Sequence, residues 1–394
     1  MRLLLIAALV AASTAGVARA QDDGPKPGAF ELDPGESVLW TQLGFYSHDD
    51  GPGDGNPFLD EELTVIEPLL IFDHQVDEDW GFGVTLSYDH VSSASIDRLS
   101  KFPAQSGASG DNYVGVDYAS RHRTSANTSL DWHAGFSFEY DYLSLGAGLS
   151  RTVRTPAEGR SDTYGFNFYY DVVDIIRYDG DQSEGTDGRL TLTGTWTRSQ
   201  PLSRYWTGEL TSLLTLQNGF LETPYNAVVL EDPGLPANPN LDNGANGIEI
   251  TEELPDTRIR LALRPRARRW MSERSALELG GRIYADDWGV VAAAIEPRWY
   301  YDLVADRLRM RLRYRYYVQS AADDYRETFL QAAGTPEFRT QDSDLADLDS
   351  HTFGVRFDAF GKSGRPTWHL DLNYALRSDG LDHAYVALGY RFGF

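Results

Sequence analysis

The chain has 394 residues, no cysteine and a formal net charge of −24 at pH 7. The lack of cysteine excludes disulfides, cysteine-ligated zinc and iron–sulfur clusters, and the negative charge argues against binding to nucleic acids. Aromatic residues make up 12% of the chain beside 37 glycines and a mean hydropathy of −0.41. This composition suits a membrane barrel, whose strands need one apolar face and one polar face.

The first 20 residues are predicted to be a cleaved signal peptide. Their apolar stretch, residues 3–10, is too short to span a bilayer, and residues 18–20 read Ala-Arg-Ala, the small-x-small pattern of a cleavage site. We therefore expect cleavage after Ala20, export from the cytoplasm, and a periplasmic segment over residues 21–36. Later in the sequence, no stretch is long and apolar enough to predict a transmembrane helix.

Apolar and polar residues alternate along residues 37–394 and predict an outer-membrane β-barrel. From Trp80 to Tyr88 every second residue is aromatic or aliphatic, and the residues between them are small or polar. From Arg307 to Arg315 every odd residue is arginine, and the even positions are Leu, Met, Leu and Tyr. Because successive side chains of a strand point to opposite faces, one face is expected to meet lipid and the other the lumen. Arginines turned toward lipid would each cost several kcal/mol, so we expect them in the lumen.

Sixteen antiparallel strands are predicted in an up-and-down barrel, with fourteen as the alternative count. Each segment is close to the length that a tilted membrane strand requires, and an even number returns both termini to one side. The segments are 37–46, 62–75, 80–91, 113–125, 129–140, 142–153, 162–172, 188–198, 204–216, 257–269, 274–285, 288–301, 307–319, 351–362, 366–377 and 382–394.

The connections between these segments predict which end of the barrel faces the cell. Long connections at 47–61, 92–112, 173–187, 217–256 and 320–350 alternate with short ones, such as 76–79 and 302–306. Short periplasmic turns and long extracellular loops are typical of outer-membrane barrels. The string at 219–225 begins the longest loop, and it either folds into the lumen as a plug or caps a strand end.

The last predicted strand resembles the C-terminal signal that the barrel assembly machinery reads in outer-membrane proteins. The residues that carry the resemblance are Gly389, Phe392 and Phe394, and the departure is Ala387, where a polar residue is usual. Apolar residues occupy every second position from Ala384 to Phe394. The strand needs a partner for its edge, and closure against the first strand would supply it.

Five strings in the chain resemble a bacterial outer-membrane barrel family catalogued only as a domain of unknown function. They are SFEYDYLS at 137–144, GFLxxPYxxV at 219–228, LPDxR at 254–258, YxDDWG at 284–289 and RYYxQSA at 315–321. They follow the family's order, with one departure at Ser93, where a glycine is expected. The resemblance implies the fold and an outer-membrane location in a Gram-negative bacterium, and it implies no reaction.

Charged residues predicted on lumen faces are the candidate functional site. A basic wall is expected from Arg258, Arg260, Arg264, Arg266, Arg268, Arg282, Arg298, Arg307, Arg309, Arg311, Arg313 and Arg315. Acids are expected at Asp131, Glu139, Glu209, Glu278, Glu296 and Asp371, with Glu278 and Glu296 interleaved among the arginines. Opposed basic and acidic walls would create a transverse field that orients polar solutes. The alternative is that the charges only pair with their neighbours and fill a closed lumen.

Three functions follow from these features. The first is a porin-like passive channel for small polar or anionic solutes, the second a closed structural or partner-docking barrel serving a periplasmic system, and the third a hydrolase at the outer rim. Against the hydrolase, each adjacent Asp-His pair (73–74, 89–90 and 382–383) points its two side chains to opposite faces, and the chain lacks a Gly-x-Ser-x-Gly elbow. We therefore predict no catalytic residue, metal or cofactor. The expected partners are outer-membrane lipid and the barrel assembly machinery, without nucleic acid.

Overall fold

The computed structural model describes residues 32–49, 62–94, 112–176, 183–223, 226–236, 246–361 and 365–394. The predicted signal peptide, most of the segment 21–36 and most of the loops 47–61 and 92–112 lie outside the described residues. Among the helices that are described, none has the length and apolar character needed to cross a membrane.

The described chain is built almost entirely of antiparallel strands, as the alternation predicted. In chain order they are β1 (Ser37–Asp49), β2 (Glu62–Gln75), β3 (Trp80–Ala94), β4 (Asn112–Ser125), β5 (Thr128–Phe138), β6 (Tyr142–Thr155), β7 (Arg160–Asp174), β8 (Thr186–Pro201), β9 (Trp206–Gly219), β10 (Ala227–Glu231), β11 (Gly247–Thr251), β12 (Thr257–Ser272), β13 (Ser275–Asp286), β14 (Val291–Val304), β15 (Leu308–Gln319), β16 (Phe329–Leu330), β17 (Leu348–Phe360), β18 (Pro366–Arg377) and β19 (Asp382–Gly393).

Sixteen of these strands close one barrel, which confirms the predicted fold class and strand count. Around the ring the order is β1-β19-β18-β17-β15-β14-β13-β12-β9-β8-β7-β6-β5-β4-β3-β2. The ring closes where β1 pairs with β19, from Val38 opposite Gly393 to Asp49 opposite Asp382. Phe394 continues this seam, because its backbone N–H donates to the Ser37 carbonyl at 3.0 Å and its carbonyl accepts from the Ser37 N–H at 2.9 Å.

The outer surface of the barrel is apolar and carries tryptophan near one end. On β3 the outward residues Leu86 and Tyr88 are exposed, while Gly81 on the inward face is buried. Outward tryptophans lie in the half of each strand next to a short turn, at Trp80, Trp132, Trp196, Trp206, Trp299 and Trp368. Aromatic residues such as Tyr88, Tyr170 and Tyr374 lie toward the other end. An apolar band between two aromatic girdles is the exterior that a membrane-spanning barrel requires.

The two ends of the barrel differ in their connections. At one end every described connection is short, and the turn before β3 shows how it is held: Asp77 Oδ1 accepts the N–H groups of Asp79 and Trp80, both at 2.8 Å. The other end carries the long connections 220–256 and 320–347 beside tight ones such as 139–141 and 287–290. The predicted asymmetry is therefore present, although some connections at the long-loop end are also short.

The two long connections fold together into a structure that the strand predictions missed. We call it the lid, and it comprises residues 220–223, 226–236, 246–256 and 320–347. Its centre is a three-stranded sheet in the order β11-β10-β16, in which β10 runs antiparallel to β11 and parallel to β16. The two connections are also bound to each other, since the Val229 N–H donates to Gln341 Oε1 at 2.7 Å.

Candidate functional site: the lumen and its lid

Arginines line the inward faces of four neighbouring strands. The even positions of β12 and β14 and the odd positions of β15 alternate with exposed apolar residues such as Leu261 and Leu312. The structure places the predicted arginines there as Arg258, Arg260, Arg264, Arg266 and Arg268 on β12, Arg282 on β13, Arg298 on β14, and Arg309, Arg311, Arg313 and Arg315 on β15. Two further inward arginines, Arg356 on β17 and Arg377 on β18, were missed because each stands alone in its strand. We call the barrel strands β9, β12–β15, β17 and β18 the basic half.

Two predicted lumen residues lie outside the strands. Arg307 is in the turn between β14 and β15, where its side chain is exposed. The predicted strand began one residue too early, at Arg307 instead of Leu308. The turn follows Val304, and Asp306 adopts a positive φ of 55° within it. Glu139 follows the end of β5, and its backbone N–H donates to the Tyr142 carbonyl at 2.7 Å. It therefore lies at the rim rather than on the wall.

Buried carboxylates hold the guanidiniums of the basic half together. Glu278 on β13 is 1% exposed, and its oxygens lie 2.6 Å from Arg268 Nη2, 3.3 Å from Arg298 Nη1 and 3.8 Å from Arg266 Nη1. Glu296 on β14 contacts both Arg298 and Arg313. A few carboxylates thus each serve several guanidiniums, which lowers the cost of burying like charges side by side.

Two acids predicted for the opposite wall belong to the basic half. Glu209 on β9 accepts from Arg266 Nη2 at 2.8 Å, and Asp371 on β18 accepts from Arg311 Nη2 at 3.1 Å and lies 3.5 Å from Arg356 Nη1. Sequence reasoning placed both on a lumen face, and the predicted up-and-down order already made segments 204–216 and 257–269 neighbours, but the ion pairs that the two acids form were not predicted.

The other side of the lumen is lined by acids, most of which sequence reasoning missed. The inward carboxylates of β2–β7 are Glu67, Asp73, Asp89, Asp117, Asp131 and Asp171. We call these strands, together with the neighbouring β8, the acidic half. Only Asp131 was predicted. Each of the others alternates with outward apolar residues, so strand parity was the signal that could have found them. Two guanidiniums in this wall are bound to its acids, Arg121 to Asp131 and Arg189 to Asp171.

Hydrogen-bonded networks rigidify the acidic half. Arg189 is 7% exposed, and it donates to Asp171 Oδ2 and to the Tyr142 hydroxyl, both at 2.8 Å. On the next strands the His133 ring nitrogens lie 3.0 Å from Asp117 Oδ2 and 3.0 Å from Asn167 Oδ1. These contacts fill the wall with short polar side chains instead of guanidiniums.

The basic and acidic halves face each other across the lumen. In the sixteen-strand ring, β15 and β5 are eight strands apart, and so are β13 and β3. The arginines of the basic half therefore face the carboxylates of the acidic half across the lumen. Opposed charges of this kind set up a field across the lumen, and low-dielectric walls concentrate such a field.

An apolar cluster in the lid covers the mouth of the acidic half. Phe220 leaves the end of β9 and is 8% exposed. It belongs to a buried cluster with the inward side chains of β2, β6 and β7 and with the β18–β19 turn, namely Leu63, Val65, Tyr142, Val173 and Leu381. These strands come from well-separated positions around the ring. Of the two roles predicted for the 219–225 string, the packing of Phe220 inside the mouth matches the plug; Pro224 and Tyr225 lie outside the described residues.

A second part of the lid is anchored over the basic half. Trp288, from the β13–β14 turn, packs with the lid residues Leu254, Ala322 and Leu345. Inward side chains of the barrel bind the lid backbone, since Gln319 Nε2 donates to the Asp344 and Ala346 carbonyls at 2.9 and 2.7 Å. Arg377 forms an ion pair with Asp344.

Glu252 is a buried acid at the centre of the lid. Its carboxylate accepts the Thr340 hydroxyl at 2.6 Å, the Thr223 N–H at 2.9 Å and the Asn226 amide at 3.2 Å. Burial raises the pKa of Glu252 to about 7 in spite of these hydrogen bonds, which favour the ionised form. The two connections that form the lid are therefore joined through a titratable group.

The adjacent Asp-His pairs are split between faces, as the alternation required. Asp382 accepts the outward Tyr374 hydroxyl at 2.6 Å, whereas His383 Nδ1 lies 2.7 Å from the inward Tyr46 hydroxyl. Among the described residues, no three His, Asp or Glu side chains are grouped closely enough to hold a metal ion.

Comparison with known proteins identifies a matching family. A family model described as "Protein of unknown function (DUF3570)" matches residues 103–374, which is more than half of the chain. The five strings quoted above lie within these residues, and the predicted resemblance to a family of unknown function is confirmed. Among curated proteins, no sequence matches.

Solved structures with a similar fold are distant in sequence. OpdK of Pseudomonas aeruginosa with vanillate is 12% identical, with a TM-score of 0.40 over 91% of this chain and 98% of that one. OccK11 (OpdR) of the same organism is 10% identical, with a TM-score of 0.42 over 92% and 98%. The ferric enterobactin receptor PfeA in complex with BCV-L6 is 12% identical, with a TM-score of 0.46 over 88% and 54%. The chain spans about half the length of the receptor structures that it matches.

Proposed function

Because the chain belongs to the family of proteins of unknown function DUF3570, we propose its function from the lumen itself: a barrel of the outer membrane that passes small anionic solutes. The observation that carries the proposal is the row of inward guanidiniums on β12 and β15 facing the acidic half. Charged rings and opposed walls select ions and polar solutes in known channels. A barrel that served only as a membrane anchor would need a polar lumen but not this separation of charge.

Location in the outer membrane is part of the proposal. The apolar exterior, the aromatic girdles and the short turns at one end support it. In this orientation the lid lies on the extracellular side and the short turns face the periplasm. Delivery would use the predicted signal peptide, and insertion would use the assembly machinery acting on Gly389, Phe392 and Phe394.

A second candidate is a closed barrel with a structural or docking role. The packing of Phe220 among inward side chains of β2, β6 and β7 favours it, because an apolar cluster in the mouth restricts passage. We therefore propose that transport requires the lid to move. If the lid does not move, the protein is a closed barrel with a structural or docking role.

Conductance in planar bilayers tests the proposal. Purified, folded protein is expected to give channel events with a preference for anions, measured as the reversal potential in a KCl gradient. Arg311→Gln removes a guanidinium whose side chain is 3% exposed and is expected to lower the anion preference several-fold. Arg307→Gln makes the same chemical change in the exposed turn and is expected to behave as the wild type.

Two results would contradict the channel. The first is an absence of events in both the wild type and a variant with a weakened lid, Phe220→Ala, which would favour the closed barrel. The second is an equal response of the reversal potential to Arg311→Gln and Arg307→Gln, which would mean that the lumen wall does not set selectivity.

A further inference from the structure

Three inward arginines of the basic half differ from their neighbours in having no carboxylate partner. Arg260 on β12 and Arg282 on β13 each have a buried Nε that meets no hydrogen-bond acceptor among the described residues. Arg315 on β15 makes no hydrogen bond or ion pair within the described chain. We call Arg260, Arg282 and Arg315 the trio. Each of the three is partly exposed to the lumen, and guanidiniums that are partly removed from water without a partner carry a cost, so their retention needs a reason.

The carboxylates closest to the trio are already occupied. Asp286 stands opposite Arg260 in the β12–β13 register, but Oδ2 accepts Arg258 Nε at 2.9 Å and the Tyr284 hydroxyl at 2.7 Å. Its Oδ1 accepts the N–H groups of Trp288 and Val290 at 3.1 and 2.9 Å. Both oxygens of Asp286 are thus used, and a second cation could bind there only by displacing a donor.

The acids near Arg282 and Arg315 also bind other guanidiniums. Glu296, which interacts electrostatically with Arg315, contacts Arg298 and Arg313. Asp344 of the lid faces the same region but forms an ion pair with Arg377. None of the three guanidiniums therefore forms an ion pair with a carboxylate of the described residues.

Two tyrosine rings lie between the members of the trio, which follow one another along the wall at different heights. The Arg282 guanidinium lies 5.6 Å from the Tyr284 ring centroid, and the Arg315 guanidinium lies 5.0 Å from that of Tyr317. The Tyr317 hydroxyl donates to Gln319 at 2.6 Å, so the ring is fixed from the lid side. Arg282 and Arg315 interact electrostatically with each other and with Tyr317, and Arg260 interacts with Tyr284.

Short side chains of β14 lie beside the middle member of the trio. The inward residues of β14 opposite Arg282 and Tyr284 are Ala294 and Ala292, and Ala294 also stands opposite Tyr317. The next inward residue of β14 is Glu296, at the height of Arg315. Neighbouring strands are about 4.8 Å apart, so the long side chains of Arg282 and Tyr317 extend over a strand that carries methyl groups at their height.

We infer that the trio is a binding site, beneath the lid, for a small solute that carries two or more oxyanion charges. The inference rests on the proposed channel, because it names the class of solute that the lumen would favour. Guanidinium forks match carboxylate and phosphate oxygens in pairs, and three of them balance two or three negative charges. Phosphate, phosphate esters and di- or tricarboxylates share this chemistry.

Calorimetric titration of the folded protein in detergent tests the site. The probe is inorganic phosphate at constant ionic strength, with chloride as the balancing anion, and one saturable phosphate site is expected. Arg282→Gln is expected to weaken binding about tenfold or more, because it removes a charge-assisted fork. Arg307→Gln removes one positive charge outside the lumen and is expected to leave binding unchanged. Citrate in place of phosphate distinguishes carboxylate from phosphate as the preferred oxyanion.

Folding and fork geometry are checked with further variants. Heat-modifiable mobility in gels shows whether each variant is a folded barrel, and Arg315→Gln is an independent test if Arg282→Gln does not fold. Arg282→Lys keeps the charge but loses the fork, so intermediate binding is expected. The inference is wrong if phosphate shows no saturable binding, or if Arg307→Gln weakens it as much as Arg282→Gln.

Bilayer recordings separate this inference from the proposed function. Saturable phosphate binding without channel events would support the site and contradict the channel. Channel events without saturable binding would contradict the site and leave the channel standing. When both hold, added phosphate is expected to reduce the chloride current in the wild type but not in Arg282→Gln.

Discussion

The basic and acidic halves of the lumen share one alternation of side chains but hold their charges differently. In the basic half a few acids are shared, and Glu278 alone contacts Arg266, Arg268 and Arg298. In the acidic half each guanidinium forms its ion pair with one carboxylate, as Arg189 does with Asp171. Carboxylates are therefore the scarce component on one wall, and guanidiniums are scarce on the other.

Side-chain size explains how each wall packs. The acidic half combines short polar groups with glycine, and a Cβ at Gly148 would lie 2.2 Å from His133 Nε2 and 2.3 Å from Asn167 Oδ1. Such a contact forbids any larger residue without rearrangement of that network. The basic half fills its space with long guanidiniums lying over Tyr284, Tyr300 and Tyr317. Each wall is thus packed, but only the basic one keeps cations in surplus.

The largest effect is expected from removing the shared acid of the basic half. Glu278→Gln would leave three guanidiniums without their common carboxylate in a buried site, at a cost of about 3–5 kcal/mol. Unfolding by urea, followed through tryptophan fluorescence, measures the loss. The matched control is Glu158→Gln, whose side chain is 57% exposed beside Arg160, where a change below about 1 kcal/mol is expected. Equal losses would contradict the view that shared burial sets the difference.

The next effect concerns the lid over the acidic half. Phe220→Ala removes the ring that fills the mouth between β2, β6 and β7, at a cost to lid stability of about 3 kcal/mol. Limited proteolysis of the 220–256 connection and the open probability in bilayers are both expected to rise. Leu235→Ala changes an exposed lid residue and is the control. Equal proteolysis of the two variants would mean that Phe220 does not hold the lid shut.

Periodicity was enough to predict the barrel. A two-residue repeat assigns each side chain to a face without any knowledge of partners, and the sixteen segments, the closure of β1 on β19 and the outward row ending at Phe394 followed from it. The same parity placed the arginines of β12 and β15 on the inward face. The prediction that Arg307 faces the lumen was wrong, because the alternation of side chains does not show where a strand ends.

The predicted up-and-down order made each strand the neighbour of the next, but it did not show which side chains meet across strands. Glu209 and Asp371 were predicted to oppose the arginines, yet Glu209 stands opposite Arg266 in the β9–β12 register and Asp371 accepts a hydrogen bond from Arg311. The lid was missed because its strands, such as β10 (Ala227–Glu231), are short and pair across a hundred residues of chain. Glu252 gave no signal, since its environment is made by Thr223 and Thr340 from two different connections.

The ionisation of Glu252 is expected to make the stability of the lid depend on pH. Its pKa is raised from 4.5 to about 7, so the folded lid prefers the protonated acid. Lid stability is therefore greatest below pH 4.5 and falls, by about 3 kcal/mol in all, as the pH rises through 7. Proteolysis of the lid is expected to increase over this range in the wild type and to stay constant in Glu252→Gln. A pH response that survives in Glu252→Gln would assign the effect to another group and contradict this prediction.

The smallest effect is expected where an ion pair of the basic half meets solvent. Arg309 is on the same strand face as Arg311, but its side chain is 41% exposed and its Nε lies 2.7 Å from Asp302 Oδ1 near the short turns. Water screens such a pair, so Arg309→Gln is expected to cost less than about 1 kcal/mol in urea unfolding. The comparison is with Glu278→Gln, which removes a carboxylate from the same wall. A loss above about 2 kcal/mol for Arg309→Gln would mean that the guanidiniums themselves, rather than the few carboxylates they share, hold the basic half together.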